Sequence, residues 1–400
     1  METDGTITLR KGRNMDITKD IRYIGVDDHD IDLFEGQYEV ENGMAYNSYV
    51  ILDDKIAVMD TVEARFGETW MENLLRVLDG RKPDYLILHH MEPDHSANIV
   101  RFMERFPDTV IAATAKAFQF LEQFYGVSYT ENQRTVKDKD TLSFGAHELV
   151  FVTAPMVHWP EVMMSYDRKD KVLFSADAFG KFGANDYDDP EGWACEARRY
   201  YFGIVGKYGA QVQAVLKKLA GEELSVICPL HGPVLTEDIA YYLNTYNTWS
   251  SYGVESEGVA ICYTSVYGHT KAAAELLEKK LLALGCPKVA VSDLARCDMH
   301  EAVEDAFRYG KLVLASTTYD AGVFPIMQDF ILRLTEHNYQ NRLIGIIENG
   351  SWAPAAAKTM KALFDGSKNI TFTDTTVTIR SAMKDGDEAQ LDKLAAELMG

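Results

Sequence analysis

The sequence predicts a two-domain α/β protein whose second domain is a doubly wound, parallel, five-stranded sheet. Three observations favour this class. The chain has 400 residues, more than one compact core usually supports. Residues up to about 250 mix short β-rich segments with helical ones, whereas from residue 258 strands and helices alternate strictly. The polar segment 250–257 separates the two patterns. We therefore predict domains at residues 1–252 and 253–400.

In the first half, a two-residue turn at Asp53 and Asp54 joins segments 47–52 and 55–59, which predicts a β-hairpin. Further strands are expected at residues 84–88, 109–112, 148–153, 171–175 and 225–228. Helices are expected at residues 69–78, 97–106, 116–124 and 211–219. Strands mixed with helices indicate a layered domain.

In the second half, five strands and five helices alternate. The strands are expected at residues 258–262, 288–291, 311–316, 343–347 and 376–379. The helices are expected at residues 269–284, 299–308, 324–336, 354–363 and 387–398.

Composition excludes several classes of function. Forty Lys and Arg residues against 61 Asp and Glu residues give a net charge of −21, which repels nucleic-acid phosphates and anionic lipid. No apolar segment approaches the roughly 20 residues of a membrane helix, and the N-terminus lacks a signal-peptide pattern. The five cysteines are scattered and none forms a C-x-x-C motif. We therefore expect a cytoplasmic protein without disulfides, a zinc ribbon or a rubredoxin-type centre.

Potential metal ligands cluster after the predicted strand 84–88 and recur after other strands. Because side chains that follow strands can gather at one sheet edge, we expect them to form one site. The candidate ligands are His90, Glu92, Asp94, His95, His158, Asp177 and His231. Burying four imidazoles and three carboxylates without metal would be electrostatically costly. Seven ligands suffice for two metal ions with open positions.

Two other histidines are not expected in this site. His89 should point away if its neighbours converge by alternation, and His147 precedes its strand instead of following it. His29 and Trp159 are weaker candidates for contacts around the ligands.

Three loops in the second half follow predicted strands and carry hydroxyl or aromatic side chains. The first is Thr264, Ser265, Val266, Tyr267, Gly268, His269 and Thr270; the second is Thr317, Thr318, Tyr319, Asp320, Ala321 and Gly322; the third is Asn349, Gly350, Ser351 and Trp352. Hydroxyls and free N–H groups at a helix start can hold a phosphate, and Tyr319 and Trp352 could flank a flat ring. No Walker lysine or G-x-G-x-x-G is present. The three-loop set resembles flavodoxins, which implies FMN.

The metal motif is similar to the H-x-H-x-D-H motif of the metallo-β-lactamase superfamily, with Glu92 at the second histidine. That exchange resembles the flavodiiron proteins, in which a metallo-β-lactamase-like αββα sandwich precedes a flavodoxin-like domain. A carboxylate adds negative charge and a hard oxygen ligand, which favours iron over zinc. The resemblance implies one iron bound by His90, Glu92 and His158, a second bound by Asp94, His95 and His231, and Asp177 bridging them.

The resemblance covers the whole chain and implies the minimal, two-domain class of that family. It implies reductive scavenging of a diatomic gas, O2 to water or NO to N2O, with FMN relaying electrons. It further implies a separate electron donor, such as rubredoxin or a reduced deazaflavin, and a head-to-tail homodimer or a dimer of dimers.

Two other functions stay open at this stage. One is a dizinc hydrolase of the metallo-β-lactamase superfamily fused to a flavodoxin, against which Glu92 argues. The other is a non-enzymatic flavin electron-transfer protein, which would lack iron. The sequence does not rank O2 against NO, nor does it identify the donor.

Overall fold

The computed structural model of the chain describes residues 15–400, so the expected absence of a signal peptide concerns residues outside that range. The chain divides into two compact units. The first comprises the described residues through Tyr201 together with Ala210–Tyr246, and the second comprises Phe202–Gly209 and Asn247–Gly400. In the described range, every helix is too short or too polar to cross a bilayer.

The first unit is built mainly of short strands. In chain order they are β1 Met15–Asp16, β2 Ile21–Tyr23, β3 Val26–Asp28, β4 Leu33–Phe34, β5 Tyr38–Glu39, β6 Met44–Tyr46, β7 Tyr49–Leu52, β8 Ile56–Met59, β9 Tyr85–Ile87, β10 Val110–Ala113, β11 Gln133–Thr135, β12 Thr141–Ser143, β13 Glu148–Thr153, β14 Met163–Asp167, β15 Val172–Phe174 and β16 Val226–Cys228.

Seven α-helices begin before residue 250 in the described chain. They are α1 Gly67–Leu78, α2 Pro93–Ser96, α3 Ile99–Arg105, α4 Ala115–Tyr125, α5 Trp193–Tyr200, α6 Gly209–Leu219 and α7 Ile239–Ser250. Single turns of 3₁₀ helix lie at Ala64–Phe66, Thr130–Asn132 and Gly206–Tyr208, and a π-helical segment lies at Tyr201–Val205.

Two sheets face each other in this unit. One has the order β1-β2-β7-β8-β9-β10-β11 and the other β12-β13-β14-β15-β16. Ile51, Met59 and Ile87 of the first sheet share a buried hydrophobic cluster with Phe151 and Phe174 of the second. Burial of this apolar surface is the main force that holds the two sheets together. The layered fold expected for the first domain is confirmed.

Local patterns identified some strands and missed others. The predicted hairpin is confirmed, since β7 and β8 pair antiparallel. Strand β14 was not predicted, although it lies at the centre of the second sheet. All five of its residues are buried, so its sequence lacks the alternation of polar and apolar residues that marks a strand with one wet face.

The second unit is one parallel sheet with helices between its strands. Its strands are β17 Ser256–Tyr263, β18 Val289–Asp293, β19 Tyr309–Tyr319, β20 Gly322–Val323, β21 Arg342–Asn349 and β22 Ile370–Ile379. Its helices are α8 His269–Ala283, α9 Met299–Arg308, α10 Pro325–Glu336, α11 Ala356–Ala362 and α12 Asp385–Met399. The order β18-β17-β19-β21-β22 is that of a flavodoxin-like doubly wound sheet, which confirms the predicted class. The two-residue β20 pairs antiparallel with β19 and was not predicted.

An exposed loop in the first unit allows a test of this packing. Asp138 accepts hydrogen bonds from Lys218 and from the backbone and side chain of Thr153. Burial raises the pKa of its carboxyl, but these hydrogen bonds outweigh burial and lower that pKa below its usual value. The contact therefore stabilises the folded protein at pH values above the unfolded-state pKa of about 3.9. This stabilisation is lost as the pH falls through the folded-state pKa.

We expect Asp138→Asn to lower the urea midpoint at neutral pH, and the difference from the parent protein to shrink as the pH falls below about 4. Asp140→Asn is the control, because the carboxylate of Asp140 accepts a local N–H from Lys137. A difference that stays constant across the acid range would contradict the prediction.

Candidate metal centre and cofactor pocket

The predicted ligands all follow strands or lie between them. His90 comes three residues after β9, and Asp94 and His95 lie in the short helix α2. Asp177 and His231 follow β15 and β16, which are parallel neighbours and so end at the same sheet edge. His158 lies on the loop between β13 and β14. Four separate segments, residues 90–95 and the stretches around His158, Asp177 and His231, therefore deliver seven side chains to one place.

The first ligand group joins His90, Glu92, His158 and Asp177, whose ligand atoms all lie within 4.8 Å of one another. The carboxylate Oε2 of Glu92 lies 3.1 Å from the Nε2 atoms of both histidines. These two Nε2 atoms are 3.3 Å apart. Oδ2 of Asp177 completes the group at 2.9 Å from His158 and 3.4 Å from His90.

The second ligand group joins Asp94, His95 and His231. The two Nε2 atoms are 3.0 Å apart. Oδ2 of Asp94 lies 3.4 Å from His95 and 3.3 Å from His231. Oδ1 of Asp177 faces this group, at 3.3 Å from His95 and 3.9 Å from His231. The two oxygens of Asp177 therefore face different groups, as a bridging carboxylate does.

The donor set fits a pair of metal ions. Both oxygens of Asp94 and of Asp177 are buried without a hydrogen-bond partner among the described residues, which is costly unless a cation satisfies them. Imidazole and carboxylate ligands at about 2.1 Å from one ion are about 3.0–3.4 Å from each other, as observed here. Neighbouring Nε2 atoms lie close together for the same reason, because both atoms of each pair would bind one ion.

The imidazoles and carboxylates of the site shift each other's pKa values. Burial raises the pKa of the Asp177 carboxyl, but the surrounding His90, His158 and His95 outweigh burial and hold that pKa well below its usual range. Burial lowers the pKa of His158, but the adjacent carboxylates of Asp177 and Glu92 outweigh burial and raise it to about 9. The site is therefore electrostatically matched to positive charge.

The remaining candidates lie outside both ligand groups. His89 points away and hydrogen-bonds Asp60 at 2.6 Å and Ser165 at 2.7 Å. His147 is paired with Asp167 at 3.0 Å. His29 is partly exposed and lies 3.1 Å from Asp186. Trp159 does contact the site, since its ring centroid is 5.1 Å from that of His90 in an edge-on arrangement.

Sequence reasoning did not single out Glu161, which is completely buried and lies 2.7 Å from Nδ1 of His90. Only its position two residues after Trp159 hinted at the site. The contact joins residues 71 positions apart, so no local pattern could reveal it.

A cavity of about 460 Å³ reaches the ligands Glu92 and Asp94. Its other lining residues include Asp30, Asp32, Glu63 and Arg65, together with apolar and aromatic side chains. The cavity therefore borders two of the candidate ligands and carries several acidic side chains.

The three predicted cofactor loops of the second unit line a separate cavity of about 670 Å³, a size typical of ligand sites. The first loop enters α8 through Gly268, whose φ of +88° suits glycine. Thr270 and Thr317 hydroxyls lie 3.2 Å apart across the cavity floor. Tyr267 and Trp352 on its rim are 90% and 88% exposed, so large aromatic faces are available for stacking.

Most of the predicted loop residues line this cavity. Thr264, Gly268 and Gly322 do not; Thr264 is buried and its hydroxyl lies 2.9 Å from that of Ser316. Two lining residues were missed, Ala353 and Ser381. Ser381 follows the fifth strand, β22, so the rule that ligands bind at strand ends could have identified it.

Comparison with known proteins supports both halves of this architecture. Residues 44–232 match the family model "ODP family beta lactamase". Putative diflavin flavoprotein A 1 of Thermosynechococcus vestitus is 34% identical over 284 residues, which are 68% of this chain and 49% of that protein. The anaerobic nitric oxide reductase flavorubredoxin of Pectobacterium atrosepticum is 28% identical over 348 residues, 84% of this chain and 68% of that protein. The chain thus spans about half the length of the first of these relatives.

Two solved structures share the fold over nearly the whole chain. Rubredoxin oxygen:oxidoreductase of Desulfovibrio gigas superposes with a TM-score of 0.89 at 24% identity, covering 96% of this chain and 98% of that one. The flavodiiron protein of Giardia intestinalis superposes with a TM-score of 0.90 at 22% identity, covering 98% of each chain. The fold and the ligand groups define a β-lactamase-like metal-binding unit joined to a flavodoxin-like unit. The chain is similar in sequence to diflavin flavoproteins and flavorubredoxins, and its fold is that of the solved flavodiiron structures.

Metal uptake by the metal-free protein is expected to release protons. His158, with its pKa of about 9, is protonated at neutral pH, whereas an imidazole that binds a metal must be neutral. Calorimetric titration with Co²⁺ in buffers of different ionisation enthalpy should give proton release at pH 7 that declines as the pH rises through about 9. Release that does not change over this range would contradict the assignment of His158, and His29→Gln, outside the ligand groups, is the control.

Proposed function

We propose that this protein is an oxidoreductase that reduces a diatomic gas at a non-haem diiron site supplied with electrons through FMN. The observation that carries the proposal is Asp177, whose two oxygens face two separate ligand groups. The gas is O2, which four electrons and four protons convert to two waters, or NO, two molecules of which take two electrons and two protons to give N2O and water. The names of the relatives from P. atrosepticum and D. gigas support these two substrates.

Glu92 supports iron over zinc. It stands between His90 and His158 with one oxygen 3.1 Å from each Nε2 atom, so it would bind the same ion as they do. Three carboxylates offset most of the charge of two divalent ions and stabilise trivalent ions further, and hard oxygen ligands suit iron. A dizinc hydrolase would gain nothing from this extra negative charge.

FMN is supported by the second unit. The hydroxyl-bearing loop at the start of α8 would hold the phosphate, where N–H groups and the helix dipole favour an anion. Trp352 and Tyr319 would flank the isoalloxazine ring, and Asn349 would be available at its polar edge.

When bound, the two irons would supply positions for the gas and the flavin would supply electrons. His90, Glu92 and His158 would hold one ion, and Asp94, His95 and His231 the other. Asp177 would fix their separation by binding both. Phe34, Tyr46 and Tyr200 pack their rings around His231 at centroid distances of 5.3, 5.9 and 5.6 Å. These rings limit water at the site and hold the imidazole in one orientation.

The access cavity favours an uncharged substrate. Asp30 and Asp32 on its wall repel anions, whereas Glu63 is paired with Arg65 at 3.1 Å. A diatomic gas carries no charge and is not repelled. The same wall attracts the protons that the reaction consumes.

The partners are inferred from the family. We infer a separate electron donor of the rubredoxin type, which the name of the D. gigas protein supports; a reduced deazaflavin is the alternative. The head-to-tail homodimer and the cytoplasmic location stay predictions, to be tested by light scattering and by fractionation.

Glu92→Ala is expected to abolish gas reduction while FMN remains bound. The substitution removes a ligand from one iron and leaves the flavin pocket untouched. Anaerobic stopped-flow of the reduced protein against O2 and NO would follow flavin and iron oxidation separately. Glu222→Ala is the matched control, since Glu222 is exposed and belongs to neither ligand group. Full turnover by Glu92→Ala, or stoichiometric zinc in place of iron in the parent protein, would refute the proposal.

Trp352→Ala is expected to weaken FMN binding about tenfold, because loss of an aromatic contact costs about 1–1.5 kcal/mol. Equilibrium dialysis of the flavin-free protein would measure the change. Tyr187→Ala, which removes an exposed aromatic from the first unit, should leave the affinity unchanged. Equal affinities for Trp352→Ala and the parent protein would remove Trp352 from the site.

A further inference from the structure

Glu161 is a buried carboxylate that contacts a metal-binding histidine from behind. Its Oε1 accepts hydrogen bonds from Nδ1 of His90 at 2.7 Å and from the backbone N–H of Met91 at 2.9 Å. Its Oε2 has no hydrogen-bond partner among residues 15–400. Its backbone carbonyl is held by the hydroxyl of Thr114 at 2.9 Å, so both ends of the residue are fixed.

The second ligand group has no equivalent carboxylate in the described structure. Nδ1 of His231 donates to the backbone carbonyl of Ala45 at 2.8 Å, and a carbonyl is neutral. Nδ1 of His95 is buried without a hydrogen-bond partner among the described residues. The two ligand groups are similar in that each has two imidazoles, one carboxylate and one oxygen of Asp177. They differ in the hydrogen-bond partners of the histidine Nδ1 atoms.

A carboxylate behind a ligand imidazole has two physical effects. It holds the proton on Nδ1, which leaves Nε2 free to bind the metal, and it makes that nitrogen a stronger donor. Because Glu161 is completely buried, its charge is screened little by water and acts on the nearby ion at low dielectric. Negative charge stabilises a trivalent ion more than a divalent one.

We propose that Glu161 is a positioning residue that makes the two metal positions unequal. The ion held by His90, Glu92 and His158 binds more tightly and is oxidised first, while the ion held by Asp94, His95 and His231 binds more weakly and stays reduced longer. In the half-oxidised centre, one electron has left the first ion and none has left the second. This inference rests on the proposed diiron function, although its metal-affinity part holds for any divalent ion.

Glu161→Gln tests the inference, because it keeps the size of the side chain and an acceptor oxygen but removes the charge. Asp167→Asn is the matched control, since Asp167 is also a buried carboxylate behind a histidine, at 3.0 Å from His147, which belongs to neither of the two ligand groups. Co²⁺ titration of the metal-free protein, followed by absorbance, gives the affinities of the two positions. Anaerobic redox titration of the iron-loaded protein, followed by electron paramagnetic resonance, gives the two iron potentials.

In the parent protein we expect two distinct affinities and two distinct potentials. Glu161→Gln should weaken the tighter position by roughly 10- to 100-fold, the usual effect of losing such a partner, and leave the weaker position within about threefold. The lower iron potential should rise by about 59 mV for each tenfold change in the preference for the oxidised ion. Glu161→Asp keeps the charge and should fall between the parent and Glu161→Gln.

Unchanged affinities and potentials in Glu161→Gln would overturn the inference, as would equal shifts in Asp167→Asn. If Glu161→Gln does not fold, Glu161→Asp serves as the test. A change in metal affinity confined to the more weakly binding position of Glu161→Asp would contradict the assignment. Failure of the diiron proposal is distinguishable, since a protein that takes up no iron still reports the two Co²⁺ affinities.

Discussion

The carboxylate of Asp177 is the contact on which the architecture of the site depends. Its oxygens face two groups of imidazoles that reach it from different segments of the chain, and neither oxygen has a hydrogen-bond partner among the described residues. Charges buried in this way destabilise a fold unless they compensate each other or bind a cation. The surrounding structure therefore has to hold the ligands in place before any metal arrives.

That support comes from the sheet ends. Asp60, which follows β8, accepts the backbone N–H of His89 at 2.7 Å and so fixes the start of the metal-binding loop. The carbonyl of His95 accepts hydrogen bonds from both the backbone N–H and the hydroxyl of Thr61, each at 2.8 Å. At Gly180 a Cβ atom would lie 3.0 Å from the carbonyl of Asp177 and 3.3 Å from that of His231, so the backbone packs closely against both ligand segments. The hydrophobic cluster between the sheets anchors the strands themselves.

The sequence predicted the second unit better than the first, for a physical reason. Parallel strands with helices between them leave strong local patterns, and the predicted strand starts and ends around β17, β19 and β21 differ from the structure by only a few residues. In the first unit, short strands such as β2 and β6 gain their stability from distant partners, and a fully buried strand such as β14 shows no alternation. Contacts that depend on tertiary structure, such as that of Glu161 with His90, are not marked by any local sequence pattern.

The ligand residues were predictable because their chemistry is concentrated at strand ends. Glu92, Asp94 and His95 follow one strand within a few positions, and the structure brings them to the side chains that follow β15 and β16. The loops that line the second cavity were predictable by the same rule, and the rule was applied incompletely where Ser381 was overlooked. Alternation and spacing do not encode the environment of each ligand. That environment decides how strongly the ligand would bind a metal ion and which oxidation state of the ion it would favour.

In the proposed function, charge would select the substrate more than shape. A cavity of about 460 Å³ could admit molecules much larger than a diatomic gas, so size alone does not discriminate. Its acidic wall, within a chain of net charge −21, raises the free energy of any anion that enters and lowers that of protons. A reaction that consumes protons and a neutral gas is favoured by this field, whereas attack on an anionic ester or lactam is opposed by it.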